Sequence, residues 1–323
     1  MSTLADVALL AQVSKATASR AFSRPSTVAP ATAQRVFDAA AKLGFVPNAA
    51  ARQLARGRTG VIGLVVPTLD NSFFTPIIGG AQRLGAERDM QLTVVVHHFT
   101  ALAEASSFER ISRQADGFIF AAPRGSDDLI RVAGSHRPTV ILDREVPGLD
   151  SVIADTATAF GQLTEDLIAR GHRELAYIGG PEGSGQDSRR LAAVRAAADA
   201  SGARVVSFGP VPATLEAGIA AAGAVQDSGA TAVIPYAAAL GVGIQYALLA
   251  AGSREIPMIS TDPRIVDALA HEAVPTIDVD GDALGRVAAE TLINRIDVPE
   301  SPLVRHRLPV PVAGGSAASQ DVL

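Results

Sequence analysis

Thr3-Leu-Ala-Asp-Val-Ala-Leu-Leu-Ala-Gln-Val-Ser-Lys-Ala-Thr-Ala-Ser-Arg-Ala-Phe22 carries the pattern of two short helices crossing at a tight turn. Leu4, Val7, Ala8 and Ala11 fall at helical spacing and make one apolar stripe. Gln12 breaks that stripe, and Val13 supplies an apolar plug at the turn. Ser14 suits the start of a second helix, because its hydroxyl can accept from a free backbone N–H. Ala18 and Ala21 then face inward, and side chains this small let two helices cross closely. Lys15, Ala16, Thr17, Ser19 and Arg20 are left on the outer side, short or rich in donors. A helix of that kind fits the DNA major groove. An ordinary amphipathic helical hairpin satisfies the same pattern.

Charge separates the two readings. Up to Gly60, eight basic residues (Lys15, Arg20, Arg24, Arg35, Lys42, Arg52, Arg56, Arg58) stand against Asp6 and Asp38, a net +6. The whole chain carries −5, which leaves −11 on residues 61–323. A basic head on an acidic body suits phosphate binding through the head, with the body repelled from the duplex. A helix lying on an anionic membrane would need a strongly apolar, aromatic face, which this segment lacks.

With 323 residues and 48% hydrophobic content, the chain is long enough for two or three domains with large cores. Cysteine is absent, which excludes disulfides, thiolate nucleophiles and cysteine-bound zinc. The N-terminus lacks a secretory pattern, and no apolar run approaches the roughly 20 residues of a membrane span. A cytoplasmic protein is expected.

Pro30 to Leu43 is expected as a third helix, with Val36, Ala40 and Leu43 inward and Gly44 ending it. Phe45, Val46 and Pro47 form an extended link. Asn48 can then cap a short segment, Ala49 to Arg56, closed by Gly57. Helices shorter than ~12 residues are marginal alone in water, and this one has almost no apolar face apart from Leu54. Pairing in a dimer against a minor groove would stabilise it, with Leu54 as a wedge between base steps. An Arg-rich linker is the alternative.

From Gly60 onward, strand-like runs alternate with Ala-rich helical stretches. The runs are Val61–Val66, Leu92–Val96, Gly117–Ala121, Thr139–Leu142, Ser151–Ala154, Leu175–Ile178, Arg204–Phe208, Thr231–Ile234 and Pro257–Ser260. Among the helices are Pro76–Arg88, Thr158–Arg170, Arg189–Ser201 and Ala237–Ala251. Strands apolar on both faces and alternating with helices predict parallel sheets covered on both sides. So many strands suggest two sheets and two lobes, with a cleft at the carboxyl ends of the strands.

No catalytic constellation is found there. Gly179-Gly-Pro-Glu-Gly-Ser-Gly185 is neither G-x-G-x-x-G nor a phosphate-binding loop, and Ser184 does not make a nucleophile elbow. His97 and His98 are adjacent at a strand end, so their side chains point apart, which argues against a shared metal. Arg124, Asp143, Arg144, Arg190 and Asp262 recur just after strands and suggest a polar pocket. No metal and no cofactor are expected.

Taken together, these residues resemble the LacI/GalR family of bacterial repressors over essentially the whole chain. The resemblance is carried by Leu4-Ala-Asp-Val-Ala8, Val13-Ser-Lys-Ala-Thr-Ala-Ser-Arg20, Leu43-Gly-Phe-Val-Pro-Asn48, Ala51-Arg-Gln-Leu54 and Arg58-Thr-Gly-Val-Ile-Gly-Leu-Val-Val-Pro67. Further along it is carried by Asn71-Ser-Phe-Phe74, Ala115-Asp-Gly-Phe-Ile119, Leu142-Asp-Arg144, Arg170-Gly-His-Arg173, Ile178-Gly-Gly-Pro181 and Arg190-Leu191. It implies an all-α helix-turn-helix headpiece (1–47), a hinge helix and linker (48–59), and a two-lobed α/β, periplasmic-binding-protein-like core (60–323) with parallel sheets covered by helices. It also implies a homodimer, or a tetramer, on near-palindromic operator DNA, controlled by a small effector such as a sugar or nucleoside. By position, Lys15, Ala16, Thr17, Ser19 and Arg20 would face the major groove, and Leu54 and Ala55 the minor groove. Asn71, Phe73, Phe74, Arg124, Asp143, Arg190, Tyr236 and Asp262 would line the effector site. Phe73 and Phe74 would pack on a flat ligand face, Arg190 would fork onto oxygens, and Asp143 and Asp262 would accept from hydroxyls.

Three departures from the family pattern concern the pocket and its surroundings. Pro235-Tyr236 stands where the family often has Asn-Asp, and Asp278-Val-Asp280 where it commonly has Arg-Gln-Pro. The segment from His97 to Arg113 is short for the family. The Gly/Ala/Ser-rich tail, Ala313 to Leu323, shows no heptad, so no tetramerising coil is expected. The expected function is a DNA-binding regulator, a repressor in the family's manner, and not an enzyme. A transport binding protein would share the body but not the basic head, and an α/β enzyme would need a catalytic group that is not found.

Overall fold

In the computed structural model, residues 2–23, 25–45, 57–268 and 274–313 are described. The chain divides into two compact units, Met1–Gly60 and Val61–Leu323.

The first unit is helical, with α1 (Leu4–Leu10), α2 (Lys15–Ser23), a 3₁₀ turn (Pro25–Thr27) and α3 (Pro30–Leu43). Thr3 and Asp6 cap α1 reciprocally: Asp6 N–H donates to Thr3 Oγ1 (3.3 Å) and Thr3 N–H to Asp6 Oδ2 (2.8 Å). The Thr3 N–H holds the Asp6 carboxyl below the usual carboxylate range. Gln12 takes a left-handed φ of 55°, which turns the chain sharply between α1 and α2. Val7, Ala8, Ala11, Ala18 and Ala21 are buried against Ala33, Val36, Ala39 and Ala40 of α3. Gly44 ends α3 at φ 60°, as a left-handed cap. Phe45 does not leave as a free link. Its ring lies 5.9 Å from that of Phe22, which also meets Phe37 edge-on at 5.6 Å. The expected hinge segment, with Leu54 and Ala55, lies outside the described residues.

The second unit holds two sheets. The larger has the order β10-β5-β4-β3-β1-β2 and is parallel throughout. Its strands are β1 (Val61–Val66), β2 (Gln91–Val96), β3 (Gly117–Ala121), β4 (Thr139–Leu142), β5 (Asp150–Ala154) and β10 (Arg305–Leu308). Alternate residues face opposite sides. Ile62, Leu64, Val66 and Ile119 pack with α4 (Phe74–Glu87) and α12 (Gly281–Asp297). Val65, Phe118 and Phe120 pack with α5 (Leu102–Ser112) and α6 (Asp127–Gly134) around Phe99, Phe108 and Ile130.

The smaller sheet is β7-β6-β8, from β6 (Glu174–Ile178), β7 (Arg204–Phe208) and β8 (Ala232–Pro235). It is flanked by α7 (Thr156–Ala169), α8 (Gly185–Ala200), α9 (Leu215–Asp227) and α10 (Ala238–Ala250), with α11 (Pro263–Ala268) beyond. A short antiparallel pair, β9 (Thr276–Ile277) and β11 (Val312–Ala313), completes this lobe. Val279 and Val310 pack against the cores of both lobes, where the chain passes between them.

One strand expectation is corrected, and one strand is found that was not expected. Pro257–Ser260 forms only isolated bridges, Met258 to Val233 and Ser260 to Thr276; Pro257 has no N–H to give a ladder. The strand β10 was not expected, because Arg-His-Arg-Leu has no apolar face. It lies on the sheet edge, where charged side chains remain solvated.

Asp150, 2% exposed, fastens the return segment to that edge. It accepts from Arg295 Nε (2.8 Å), Arg295 Nη2 (2.9 Å) and Val304 N–H (2.7 Å). Arg295 also donates to the carbonyls of Pro299, Ser301 and Pro302. Asp150→Ala leaves that guanidinium uncompensated and is expected to cost about 3–5 kcal/mol. Thermal denaturation of the core should show the loss, and a midpoint within a degree or two of wild type would refute the clamp.

Candidate functional site

In the first unit, the outer face of α2 presents Lys15, Ala16, Ser19 and Arg20 to solvent, with Thr17 half-buried. Thr17 N–H donates to Ser14 Oγ (3.1 Å), and the two hydroxyls are 2.9 Å apart. Ser14 therefore does the capping expected of it and also engages the Thr17 hydroxyl. Arg20 Nε reaches back to Ala16 O at 3.4 Å.

In the second unit, a cavity of about 300 Å³ lies between the lobes. It is lined by Asn71, Phe73, Phe74, Asp143, Arg190, Tyr236 and Asp262, residues from five separate loops or helix starts. That volume falls at the lower end of small-ligand pockets. Asn71 Oδ1 accepts from Phe73 N–H (3.1 Å), which sets the turn into α4, and the two phenylalanine rings meet edge-on at 5.5 Å. The helix starts at Phe74, two residues before the expected Pro76, so Phe74 faces inward from its first turn.

Arg190 is 6% exposed and fully engaged on one edge. Its Nε donates to Thr156 Oγ1 (3.0 Å) and its Nη1 to Tyr236 O (2.9 Å). Its guanidinium lies 4.8 Å from the Phe160 ring centre and 4.7 Å from that of Tyr236. Two aromatic faces thus hold the cation in place. Gly180 makes room for Tyr236, because a Cβ there would fall 2.8 Å from the ring. Tyr236 OH pairs with Ser184 Oγ at 3.2 Å.

Asp143 takes a left-handed φ of 61° and is 2% exposed. Burial pushes its carboxyl above the ordinary value, opposed by Ala154 N–H (3.1 Å) and by Arg190, Gln186 and Arg189. Arg189 crosses the cleft to donate to Asp143 O at 3.0 Å.

Two of the expected residues stand apart from the rest in the structure. Arg124 does not line the cavity. A left-handed turn at Ala122 (φ 45°) leaves Ala122 on the wall and carries Arg124 beside Gly183. Asp262 lines the cavity, but its carboxylate is taken up by Arg264, through Nε (2.9 Å), Nη2 (2.8 Å) and the backbone N–H (3.1 Å). Little acceptor capacity remains for ligand hydroxyls. Arg144 also turns away from the pocket, to Asp127 and the carbonyls of Pro123 and Gly125. His97 packs on Phe99 and Phe108, its Nδ1 accepting from Phe99 N–H at 3.3 Å.

Phe160, Gln186, Arg264 and Asp278 line the cavity without having been singled out as effector contacts. Gln186 was hidden because the Gly-rich stretch suggested a loop, with helix from Arg189. The helix in fact starts at Gly185, where Ser184 Oγ accepts from Asp187 N–H at 3.2 Å. The Ser184-x-x-Asp187 spacing is a capping signal that could have found it.

Comparison with known proteins follows the same division. A family model described as the periplasmic binding proteins and sugar binding domain of the LacI family matches residues 59–311. A second, described as bacterial regulatory proteins of the lacI family, matches residues 3–48. The HTH-type transcriptional regulator CelR of Thermobifida fusca is 28% identical over 91% of this chain and 92% of its own length. The maltose regulon regulatory protein MalI of Escherichia coli is 34% identical over 56% of this chain, a match spanning only 55% of that relative. Among solved structures, a CelR–cellobiose complex superposes with TM-score 0.69 at 26% identity, covering 97% of this chain and 98% of that one. The lac repressor dimer bound to operator superposes with TM-score 0.79 at 23% identity over 97% of both chains, a likeness of fold. The chain belongs to the LacI family of bacterial regulatory proteins.

Proposed function

We propose that this protein is a sequence-specific transcriptional repressor whose operator affinity is set by a small polar effector held between the core lobes. The observation that carries the reading is one chain joining an exposed α2 face, on a headpiece of net charge +6, to a two-lobed cavity lined by aromatic and charged side chains. Residues 1–47 serve as headpiece, 48–59 as hinge and 60–323 as core. Lys15, Ala16, Thr17, Ser19 and Arg20 read the major groove, with Leu54 and Ala55 in the minor groove. The protein acts in the cytoplasm as a homodimer on a near-palindromic operator. Exposed Leu215 and Ile219 on α9, with Tyr246 and Leu249 on α10, support a subunit interface. Among the described residues no helix is long and apolar enough to cross a membrane.

The effector works by population shift. It binds one lobe arrangement better than the other, and that difference is passed to the DNA-reading unit, typically 1–3 kcal/mol or about 5–150-fold in affinity. A mobility-shift assay on the DNA upstream of its gene tests the whole. Failure to bind at low salt, with and without candidate effectors, overturns it. Leu54→Ala should weaken operator binding by about tenfold or more and leave non-specific binding nearly intact; equal losses in both would refute the wedge.

A further inference from the structure

Besides the segments of chain that cross between them, the two lobes are joined at a second place outside the cavity. One crossing runs from the end of β5 at Ala154 to the start of α7 at Thr156, and Val279 and Val310 lie on the others. The second junction sets the loops after β3 and β4 against the loop between β6 and α8. Arg144 makes a firm ledge of the first two. From the β4 loop it donates to Pro123 O (2.9 Å), Gly125 O (2.7 Å) and Asp127 Oδ1 (2.7 Å).

The other lobe rests on that ledge. Arg189, in the second turn of α8, donates from Nη2 to Asp143 O at 3.0 Å. Asp143 is left-handed (φ 61°) directly after β4, and its carbonyl is taken by this guanidinium from the facing lobe. Gly183, at φ 76°, lies against the β3 loop: a Cβ there would fall 2.9 Å from Arg124 O and 3.4 Å from Arg124 Cβ. Both the space and the backbone conformation call for glycine. Arg124, Arg144, Gly183 and Arg189 are not on the cavity wall, so this junction is made between protein groups alone. In the order β5-β4-β3, the Arg124 contact stands two strands from the β5 crossing, a lever of about 10 Å at the usual strand spacing. Rotation of the lobes about the crossings therefore parts Gly183 from Arg124 before it disturbs the crossings.

We propose that the Arg189–Asp143 bond and the seat of Gly183 on Arg124 form a clasp that holds the lobes closed from outside the effector cavity and so sets the resting operator affinity. The proposal rests on the effector-controlled reading above and adds a control that touches no effector. Whatever stabilises one lobe arrangement moves operator affinity toward the value of that arrangement. The sign follows whether the effector induces or co-represses: loosening the clasp and locking it move operator affinity in opposite directions.

The test uses the full chain, which has no cysteine of its own. Spin labels on Ser135→Cys and Ser201→Cys, one exposed position on each lobe, report lobe separation in protein diluted with unlabelled chain. Arg189→Met and Gly183→Ala should each spread that separation to longer distances. Both should shift operator affinity in one shared direction by about fivefold or more, the lower end of such coupling. Gly183→Ala also serves as the control for Gln186, whose Oε1 accepts from Arg189 at 3.3 Å and loses that bond only in Arg189→Met. Arg124→Cys with Gly183→Cys locks the clasp, since a disulfide needs Cβ atoms about 3.5–4.5 Å apart and the backbone offers 3.4 Å. Oxidised, it should keep the short separation and bring operator affinity back to the wild-type value or past it, and dithiothreitol on the same preparation should reverse this. Separations unchanged in both single variants overturn the proposal. So do operator affinities that stay unchanged or move in opposite directions in the two, or that match in the oxidised and reduced forms. Circular dichroism checks folding, and the two single variants decide if the disulfide does not form. Wild-type protein that binds no operator sinks the regulator and this control with it, while the spin-label distances still show whether the clasp holds the lobes.

Discussion

Arg190→Leu is expected to lower effector affinity by about 100-fold or more and to leave operator binding unresponsive to ligand. The size follows from what Arg190 does before any ligand arrives. It is buried, forked onto Thr156 Oγ1 and Tyr236 O, and stacked between Phe160 and Tyr236. Leucine fills some of that volume but returns neither hydrogen bond, so two buried oxygens lose a donor at about 1–3 kcal/mol each. Part of the cost falls on stability and part on the cavity wall, because Tyr236 loses the contact that fixes its ring. A hydrogen bond to a charged group is worth about 1.5–3 kcal/mol, and 100-fold is about 2.7 kcal/mol. Arg190→Lys separates charge from geometry, since lysine keeps the cation without the planar fork or the stacking. It should restore only a small part of the affinity. Calorimetry and a mobility shift on the same preparations decide the matter. A wild-type response to ligand in Arg190→Leu would remove this residue from the binding machinery.

The headpiece was legible in the sequence because each signal there is local. Ser14, Gly44 and the alternation from Leu4 to Ala21 act within one or two turns, and the structure places their side chains as that spacing requires. The sheets were legible because Val61–Val66 or Gly117–Ala121 can be apolar on both faces only when covered on both. The edge strand Arg305–Leu308 was not, since its membership depends on pairing with β5, about 150 positions earlier in the chain, and not on its own side chains. The cavity was half legible. Phe73, Asp143, Arg190 and Tyr236 follow strands or open helices, where loops carry function. Phe160 shows only a core residue's spacing on α7, and nothing local announces that a guanidinium from α8 lies across its ring. Asp262 is the opposite case. Its partner Arg264 is two residues away, close enough to consume the carboxylate that the resemblance had assigned to a ligand.

Ala18→Leu is expected to abolish operator binding and leave effector binding by the core unchanged. Ala18 is fully buried where α2 crosses α1, in a cluster built almost wholly of alanine and valine. The fully buried members are all alanine or valine, with Leu4, Phe22 and Leu43 only at the margin, so three added carbons push the helices apart. Overpacking of this kind costs about 1–3 kcal/mol. A small unit has little to set against that, because a single core in a domain below roughly 70 residues rarely supplies more than about 3–5 kcal/mol. Even where the headpiece stays folded, moving α2 by an ångström displaces Lys15, Thr17 and Arg20 together, and groove contacts depend on their joint placement. The core is a separate compact unit with its own buried clusters, so its unfolding transition and calorimetric binding should stay at wild-type values. Ser19→Ala, on the exposed face of the same helix, serves as the comparison, because it adds no volume at the crossing and should weaken operator binding far less. Operator affinity for Ala18→Leu within threefold of wild type would mean that the crossing of α1 and α2 has room the structure does not show, and that the small residues at 18 and 21 are not what sets the recognition helix.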